Sequence, residues 1–412
     1  MGKHHKRRRE ETDEAPKSKN LSKAAKLAAE ELIEPEYVID QESGLRKVVP
    51  YWFTHRTMAK GRWWKRSLLD VFTKEFQDQS PDYYRRAILA GKISVNNQKK
   101  PLDYILKNGD LVCHATHRHE PPVGSHEIKI VFEDEEILVI DKPPSIPVHP
   151  SGRYTFNTVL EILQSKEYGY RNLFSVNRID RLTSGILLVA LTKEKASQLA
   201  SELAERNVSK VYLCRVRGKF PEDKVACLEP IHVVSNKLGV NIVSPEGRPC
   251  ETHFTLLSYN PKSDTSVVQC EPKTGRTHQI RVHLQWLGFP ISNDPLYCNK
   301  DLFGENLGKG GVLDQKDVLE RIKTAKELGD LGEGPSDPPR TEGGKKDDGV
   351  IPSSIPGDTL SLDDFPCPEC AIKRKEPSVK DLKIYLHSWK YSGEGWAYET
   401  EMPVWAAPDH LE

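Results

Sequence analysis

From Glu127 onward, the chain is dominated by short apolar runs with the length and alternation of β-strands. IKIVFEDEEILVIDKP reads as two strands joined by an acidic turn, and further strand-like runs follow in GILLVALT, KVYLCRVRG, CETHFTLLSY and SVVQCEP. KEKASQLASELAERN and THQIRVHLQWLG carry apolar residues at helical spacing. The pattern predicts an α+β fold, in which a mixed, mainly antiparallel sheet has helices on its flanks.

Shifts in composition divide the 412 residues into five segments. Residues 1–46 are a charged arm that we expect to be disordered, and residues 47–126 form a small α/β module. Residues 127–300 form the sheet domain, and residues 301–380 are an acidic insertion, expected to be partly disordered. Residues 381–412 return to aromatic and β-branched alternation, so we expect them to rejoin the sheet domain.

The module at 47–126 interleaves aromatic and basic side chains. From Tyr51 to His126 there are 13 Lys and Arg against 7 Asp and Glu, a surplus that the whole-chain balance of 60 against 60 conceals. Aromatic rings can stack on bases while cations meet phosphates, which predicts a nucleic-acid surface. The same aromatics are equally typical of a segment packed onto a core, and both interpretations stand.

The apolar pattern excludes a membrane-spanning protein, and the N terminus and the cysteines argue against a secreted one. No stretch approaches the roughly 18 uninterrupted apolar residues of a membrane helix, and the N-terminal MGKHHKRRREE lacks a signal-peptide core. The eight cysteines show no disulfide framework, which indicates a reducing compartment. Because an acidic block follows the basic N terminus, we predict a nuclear or cytoplasmic location and regard a mitochondrial one as less favoured.

Asp180 is the most informative charged residue, because it stands between Arg178 and Arg181 directly before the apolar run GILLVAL. An unpaired carboxylate that enters a buried strand costs several kcal/mol, so a cation must hold it. From the residues alone, a structural ion pair is favoured over a catalytic carboxylate.

Two further positions are candidates for the same site. Arg281 lies four residues after Thr277, a plausible helix cap, and is available to pair with a carboxylate from another segment or to stay solvated. Lys210 and Tyr212 share one face of a predicted strand, where Tyr212 either stacks on a base or packs in the core.

A single CxxC pair, Cys367 and Cys370, is a weak metal signal even with His117 or His119 as further ligands. The pair matches half of a zinc-deaminase signature, but the HxE of the chain, ending at Glu412, follows the pair instead of preceding it. We therefore predict no metal site, and keep a zinc-dependent RNA-modifying enzyme as an alternative.

Six passages together carry a family resemblance: VIDKPPSIPVHPSG (139–152), NRIDRLTSG (177–185), KVY (210–212), GRTHQIRVHL (275–284), NDPLY (293–297) and LHSWKY (386–391). In this order they closely resemble the RluA-type RNA pseudouridine synthases, particularly the eukaryotic branch that includes tRNA-modifying members. The module at 47–126 resembles the small S-four-like RNA-binding domain of that family. The family's aspartate motif usually reads HRLD, whereas this chain has Asn177 and Ile179 in NRID.

The resemblance implies roles for individual residues. Asp180 is expected to start cleavage of the uridine glycosidic bond, Arg281 to be its ion-pair partner, and Tyr212 to stack on the target base. Arg178 is expected to fill the space that the flipped uridine leaves in the RNA. The other expected RNA contacts are Arg181, Lys210, Arg276, His278, Lys142, Arg62, Arg85 and Arg86.

The resemblance implies an RNA pseudouridine synthase that acts as a monomer on tRNA, with an anticodon-arm uridine as the first candidate. It implies no cofactor, because the isomerisation needs neither a redox change nor added atoms. The alternatives are a synthase that acts on rRNA or mRNA, or a catalytically inactive RNA-binding protein of the same fold.

Overall fold

The computed structural model describes residues 34–76, 79–235, 239–311, 314–328, 367, 370 and 375–410. Predictions for the arm before residue 34 and for most of the insertion lie outside this part of the chain. The described residues fall into two compact units. The smaller unit holds Glu34 and Phe53–Thr116, and the larger unit holds the remainder.

Strands account for most of the regular structure. In chain order they are β1 (Tyr37–Asp40), β2 (Leu45–Val48), β3 (Tyr51–Met58), β4 (Ile93–Val95), β5 (Leu111–Arg118), β6 (Val123–Gly124), β7 (Lys129–Glu133), β8 (Ile137–Lys142), β9 (Phe174–Ser175), β10 (Ser184–Ala190), β11 (Ser209–Arg217), β12 (Val225–Cys227), β13 (Ile231–Ser235), β14 (Val240–Val243), β15 (Thr252–Asn260), β16 (Thr265–Pro272), β17 (Leu386–Gly393) and β18 (Trp396–Glu399).

The described α-helices are fewer and mostly short: α1 (Leu68–Glu75), α2 (Pro81–Leu89), α3 (Val159–Gln164), α4 (Lys193–Ala204), α5 (Gln279–Leu287), α6 (Lys300–Phe303) and α7 (Gln315–Leu328). Single 3₁₀ turns lie at Gly61–Trp63, Val379–Leu382 and Val404–Ala406. Within the described chain, no helix has the length and apolarity needed to cross a membrane.

The smaller unit packs α1 and α2 beside a three-stranded sheet of order β3-β5-β4. Both helices begin at a serine cap, because the side chains of Ser67 and Ser80 accept hydrogen bonds from backbone amides of the first turn. Trp63 is 1% exposed and packs in the core of this unit. The assignment of residues 47–126 to an S-four-like module stays a prediction.

The larger unit is built on one ten-stranded sheet of order β12-β15-β16-β11-β17-β10-β8-β7, with β18 paired to β17 and β9 to β10. Its strand pairs are antiparallel except β10 with β17, which is parallel. The predicted α+β fold with a mixed, mainly antiparallel sheet is therefore confirmed. Strand β17, from the late segment, lies in the middle of this sheet, between β10 and β11.

The centre of this sheet is buried on both faces, which explains the nearly continuous apolar runs of β8 and β10. Ile186 and Leu188 belong to the larger apolar core, whereas Leu187 and Val189 of the same strand belong to a second core. Because successive side chains point to opposite faces of a strand, these two sets mark the two covered faces.

Part of the segment predicted as an insertion forms regular structure. Its first residues continue α6, and α7 places Val318 and Ile322, which are 5% and 0% exposed, in an apolar cluster with Tyr297. Residues 329–366 lie outside the described part, so the prediction of partial disorder there is not addressed.

Candidate active site

Asp180 lies in the loop between β9 and β10, at the entrance to the buried centre of the sheet. A turn closes here, since the Thr183 amide donates a hydrogen bond to the Asp180 carbonyl at 3.1 Å. The Asp180 side chain is 22% exposed. The carboxylate is thus reachable from solvent while its backbone is fixed.

Arg281 projects from α5, and its side chain is 0% exposed. Its Nη1 lies 3.2 Å from Asp180 Oδ2, so the structure brings together the two residues that the sequence suggests as partners. Its Nε and Nη2 donate to the two carboxylate oxygens of Asp294 at 2.7 and 2.9 Å. The guanidinium therefore holds one carboxylate in a bidentate pair and presents its remaining edge to Asp180.

Asp294 belongs to this site, although we assigned it no role from the sequence. It lies in the turn after α5, where its Oδ1 also accepts hydrogen bonds from the amides of Leu296 and Tyr297 at 2.9 Å each. The Tyr297 ring centre lies 5.0 Å from the Arg281 guanidinium carbon. The one available signal was the acidic residue inside the NDPLY motif.

His278 completes the charged surroundings of Asp180. Its Nε2 lies 3.6 Å from Asp180 Oδ2, and its Nδ1 lies 3.0 Å from the Tyr297 hydroxyl oxygen. Its φ of +58° is in the left-handed region, which is uncommon for a residue with a β-carbon. Gln279 next to it fixes this bend, accepting hydrogen bonds from Arg276 N and Thr274 Oγ1. We predicted His278 as an RNA contact, and the structure places it beside the carboxylate.

The balance of burial and charge keeps Asp180 ionised. Burial raises the pKa of this carboxyl, but the electrostatic interactions with His278 and Arg281 and the hydrogen bond from Arg281 outweigh that effect, so the pKa lies below its ordinary value. The group is an anion at neutral pH.

A cavity of about 260 Å³ opens beside Asp180. Tyr212 of β11 and Tyr391 of β17 line it, and their hydroxyl oxygens lie 2.6 Å apart. Asn177 donates from Nδ2 to the Tyr391 hydroxyl at 3.3 Å. Burial, together with the Tyr391 hydroxyl, raises the pKa of Tyr212, so its phenol is neutral at physiological pH.

Basic side chains also line this cavity, and they are among the predicted RNA contacts. Lys210 lies on β11, and its partial burial there lowers its pKa. Arg178 and Arg276 line the cavity as well, and Arg178 is exposed. The arrangement places cations around a pocket that contains an anion and an aromatic ring.

Lys142 is not an RNA contact, so that prediction is wrong. The residue is 0% exposed, and its Nζ donates to the carbonyl oxygens of Pro143, Ile146 and Arg181 at 2.8 to 3.2 Å. The sequence shows a lysine after an apolar strand, but it does not show that three carbonyl groups converge on the ammonium. Arg181 itself lies with its guanidinium carbon 5.8 Å from the Tyr154 ring centre.

The remaining predicted contacts lie on the smaller unit. Arg62 pairs with Glu75 at 2.6 Å, and Arg86 lies 3.5 Å from Asp82. Arg85 is exposed on α2. Two of the three arginines therefore already have an acidic neighbour.

Comparison with known proteins gives consistent similarities. Residues 136–286 match the family described as RNA pseudouridylate synthase. The human pseudouridylate synthase RPUSD2 is 40% identical over 98% of this chain and 81% of its own length. The mitochondrial tRNA pseudouridine(32) synthase of Saccharomyces cerevisiae is 40% identical over 91% of this chain and 79% of its own. The tRNA pseudouridine(31) synthase of the same yeast is 32% identical over 90% of this chain and 97% of its own.

These similarities overturn the prediction that a mitochondrial location is less favoured than a nuclear or cytoplasmic one, because a relative at 40% identity is mitochondrial by name. The prediction rested on the acidic block that follows the basic N terminus. Such a block counts against a presequence only where it falls inside the targeting segment, and composition does not show where that segment ends.

Proposed function

This chain belongs to the RluA-type family of RNA pseudouridine synthases, and from that premise we propose that it modifies an anticodon-arm uridine of tRNA with Asp180 as its catalytic residue. The enzyme converts uridine to pseudouridine in RNA. The observation that carries the proposed role is the Asp180 carboxyl group, held by the buried Arg281 at 3.2 Å at the edge of a cavity.

The tRNA substrate is supported by two yeast relatives that are named for tRNA positions 32 and 31. They align with 91% and 90% of this chain, so the similarity extends well beyond the matched domain. The basic side chains that line the cavity suit the phosphates that flank a target nucleotide.

Asp180 provides the chemistry that starts the reaction. In the conversion, the bond from C1′ to N1 breaks, the bond from C1′ to C5 forms, and the proton on C5 is replaced by one on N1. Attack on the ribose and proton abstraction toward a glycal both need an ionised carboxylate near the sugar, and both routes stay open. Arg281 and His278 keep Asp180 charged and aimed.

Tyr212 is proposed as the aromatic surface on which the extruded base stacks. A base inside stacked RNA is inaccessible, and its extrusion costs a few kcal/mol, roughly, which stacking offsets in part. Because its phenol is neutral and held by Tyr391, the ring suits stacking and hydrogen-bond donation better than proton abstraction. Exposed Arg178 at the same cavity is the candidate to occupy the place of the flipped nucleotide.

The test maps pseudouridine in total RNA from cells that lack the endogenous protein and carry either the wild type or Asp180→Asn. We expect wild-type cells to gain pseudouridine in the anticodon arm of tRNA and Asp180→Asn cells to gain none. Asp223→Asn, at an exposed position, is the matched control and should behave as the wild type.

Two results would contradict separate parts of the proposal. Sites confined to rRNA or mRNA would exclude tRNA as the substrate and leave the role of Asp180 intact. Unchanged sites with Asp180→Asn would exclude Asp180 as the catalytic residue. A tRNA binding assay on purified Asp180→Asn protein separates loss of chemistry from loss of binding, and we expect its Kd to stay within about threefold of the wild type, since the substitution is isosteric.

A further inference from the structure

Four side chains that the pseudouridine synthase chemistry does not use converge on one point in the larger unit. They are His117, His119, Cys367 and Cys370, and one ligand atom from each lies within 4.8 Å of the others. From the sequence we predicted no metal site, because a single CxxC pair supplies two ligands. The fold supplies two histidines 248 positions or more away along the chain.

Four of the six distances between these atoms are close to the edges of a tetrahedral zinc site. Cys370 Sγ lies 3.3 Å from His117 Nδ1 and 3.4 Å from His119 Nε2, and Cys367 Sγ lies 3.6 Å from His119 Nε2. The two ring nitrogens lie 3.1 Å apart. Zinc bonds of about 2.3 Å to sulfur and 2.0–2.1 Å to nitrogen give tetrahedral edges of about 3.5 Å for S···N and about 3.3 Å for N···N.

Local structure brings each pair of ligands close together. His117 lies near the end of β5, and His119 follows the last residue of that strand, so the two-residue separation places both rings on the same side. The Cys370 amide donates a hydrogen bond to the Cys367 carbonyl at 3.2 Å, which keeps the two cysteines close together. Two residues separate them in the sequence, and this is a usual ligand spacing of structural zinc sites.

The segment from His117 to Glu120 is held in place by contacts with neighbouring residues. Arg153 donates from Nη2 to the His119 carbonyl at 3.0 Å. The neighbouring Glu120 carboxylate accepts hydrogen bonds from the amides of Phe156 and Asn157 and from the Tyr51 hydroxyl. The Trp52 ring centre lies 5.0 Å from that of His117. Such outer contacts orient metal ligands before an ion binds.

We propose that His117 Nδ1, His119 Nε2 and the thiolates of Cys367 and Cys370 bind one zinc ion. Four protein ligands fill a tetrahedron and leave no position for water, so the ion is structural and takes no part in the isomerisation. It fastens Cys367 and Cys370 to the end of β5, shortly before the chain returns to the sheet at β17.

The hydrogen bonds that these four side chains can form with one another are weak. A neutral thiol is a weak donor and a weak acceptor, and two imidazole nitrogens 3.1 Å apart gain at most one N–H···N bond. A mixed set of two nitrogens and two sulfurs in tetrahedral arrangement selects zinc among the common divalent ions.

The test measures metal in the full chain, purified without a histidine tag from cells grown with added zinc. Inductively coupled plasma mass spectrometry should find about one zinc ion per chain. Cys370→Ser and His119→Ala should each lose most of that zinc, whereas Cys298→Ser, a cysteine outside the cluster, should retain it. Chelation of the wild type should lower its Tm and should leave the Tm of Cys370→Ser unchanged.

A second measurement needs no variant that might fail to fold. The metal-free, reduced wild type is titrated with Co²⁺, and tetrahedral thiolate ligation should give intense visible absorption at a stoichiometry of one. Wild-type protein that contains no zinc and gives no such spectrum would overturn the proposal. Iron or copper in place of zinc, a Cys367–Cys370 disulfide under reducing conditions, or zinc that persists in the variants would overturn it as well.

Discussion

Arg281 serves two carboxylates with one guanidinium, and this sharing defines the site at the scale of single residues. The fully buried Asp294 binds two nitrogens of the Arg281 guanidinium, and Asp180 contacts the nitrogen that faces the cavity. The geometry of that inner pair therefore sets where Nη1 points. If Asp180 has the proposed catalytic role, Asp294 acts on the reaction through Arg281 and is a positioning residue.

We expect Asp294→Ala to destabilise the fold strongly. The change leaves two guanidinium N–H groups and the amides of Leu296 and Tyr297 without their acceptor. Breaking a buried ion pair in this way costs about 3–5 kcal/mol in the free energy of unfolding. Urea unfolding measures this value, and Asp294→Asn, which retains one acceptor oxygen, should lose clearly less. A loss below about 1 kcal/mol in Asp294→Ala would show that Arg281 does not depend on this partner.

Lys142 provides a pH-dependent test of a buried charge. Burial, assisted by the charge of Arg181, lowers its pKa to about 7 in the folded protein, whereas an unfolded chain keeps a lysine near about 10.4. Between these values the unfolded state binds more protons, so the free energy of unfolding rises with pH. The contribution of Lys142 to the free energy of unfolding is therefore smallest below about pH 7 and reaches its full value above about pH 10.4.

Lys142→Met should remove that dependence. We expect the wild type to gain stability relative to the variant as pH rises from about 7 to 9.5, by at most about 1.4 kcal/mol per unit. Urea unfolding of both proteins across this range gives the difference, and Lys129→Met, at an exposed strand position, is the control. If the free energies of unfolding of the wild type and Lys142→Met change in parallel with pH, Lys142 keeps its charge throughout this range.

At the scale of elements, the parallel contact of β10 with β17 joins the Asp180 loop to the late strand that carries Tyr391. Gly185 pairs with Ser388 there and has a φ of +108°. A β-carbon at Gly185 would lie 2.2 Å from the Ser388 carbonyl oxygen and 2.6 Å from its nitrogen. The strands approach so closely because residue 185 has no side chain.

Gly185→Ala should therefore separate β10 from β17. Backbone strain and overpacking together predict a loss of about 3–5 kcal/mol in the free energy of unfolding, with activity reduced because the Asp180 loop shifts. Gly395→Ala is the matched control: its φ is +76°, but a β-carbon there meets no atom within 4 Å. Urea unfolding should show that the control loses about 1–2 kcal/mol in its free energy of unfolding. Equal losses in the two variants would mean that φ alone, and not the contact with Ser388, constrains this position.

Local patterns predicted the elements, whereas contacts between distant segments had to come from the fold. The strand runs after Glu127 and the helices near 193–204 and 279–287 follow from periodicity. The central position of β17 does not follow from periodicity, because no local sequence pattern shows that a late segment pairs with β10 and β11. For the same reason we assigned no role to Asp294 and expected Lys142 to contact RNA.

At the scale of the whole molecule, charge counts overstate the cationic surface of the smaller unit. The basic surplus between Tyr51 and His126 was read from composition. In the structure Arg62 and Arg66 both pair with Glu75, and Arg66 also pairs with Asp70. Paired cations neutralise fewer phosphates than their number suggests, so exposed Arg85 is a stronger candidate for a phosphate contact than Arg62.

RNA affinity should reveal this difference through its salt dependence. Each phosphate contact removed lowers the slope of log affinity against log salt by about 0.7–0.9. We therefore expect Arg85→Ala to lower the slope by about one contact and Arg62→Ala to lower it by less, because Glu75 competes for its guanidinium. Filter binding of tRNA at several salt concentrations, with Asp180→Asn as the background to prevent turnover, measures both slopes. A steep wild-type slope that neither substitution changes would place the phosphate contacts elsewhere, and a flat wild-type slope would remove the smaller unit as a phosphate-binding surface altogether.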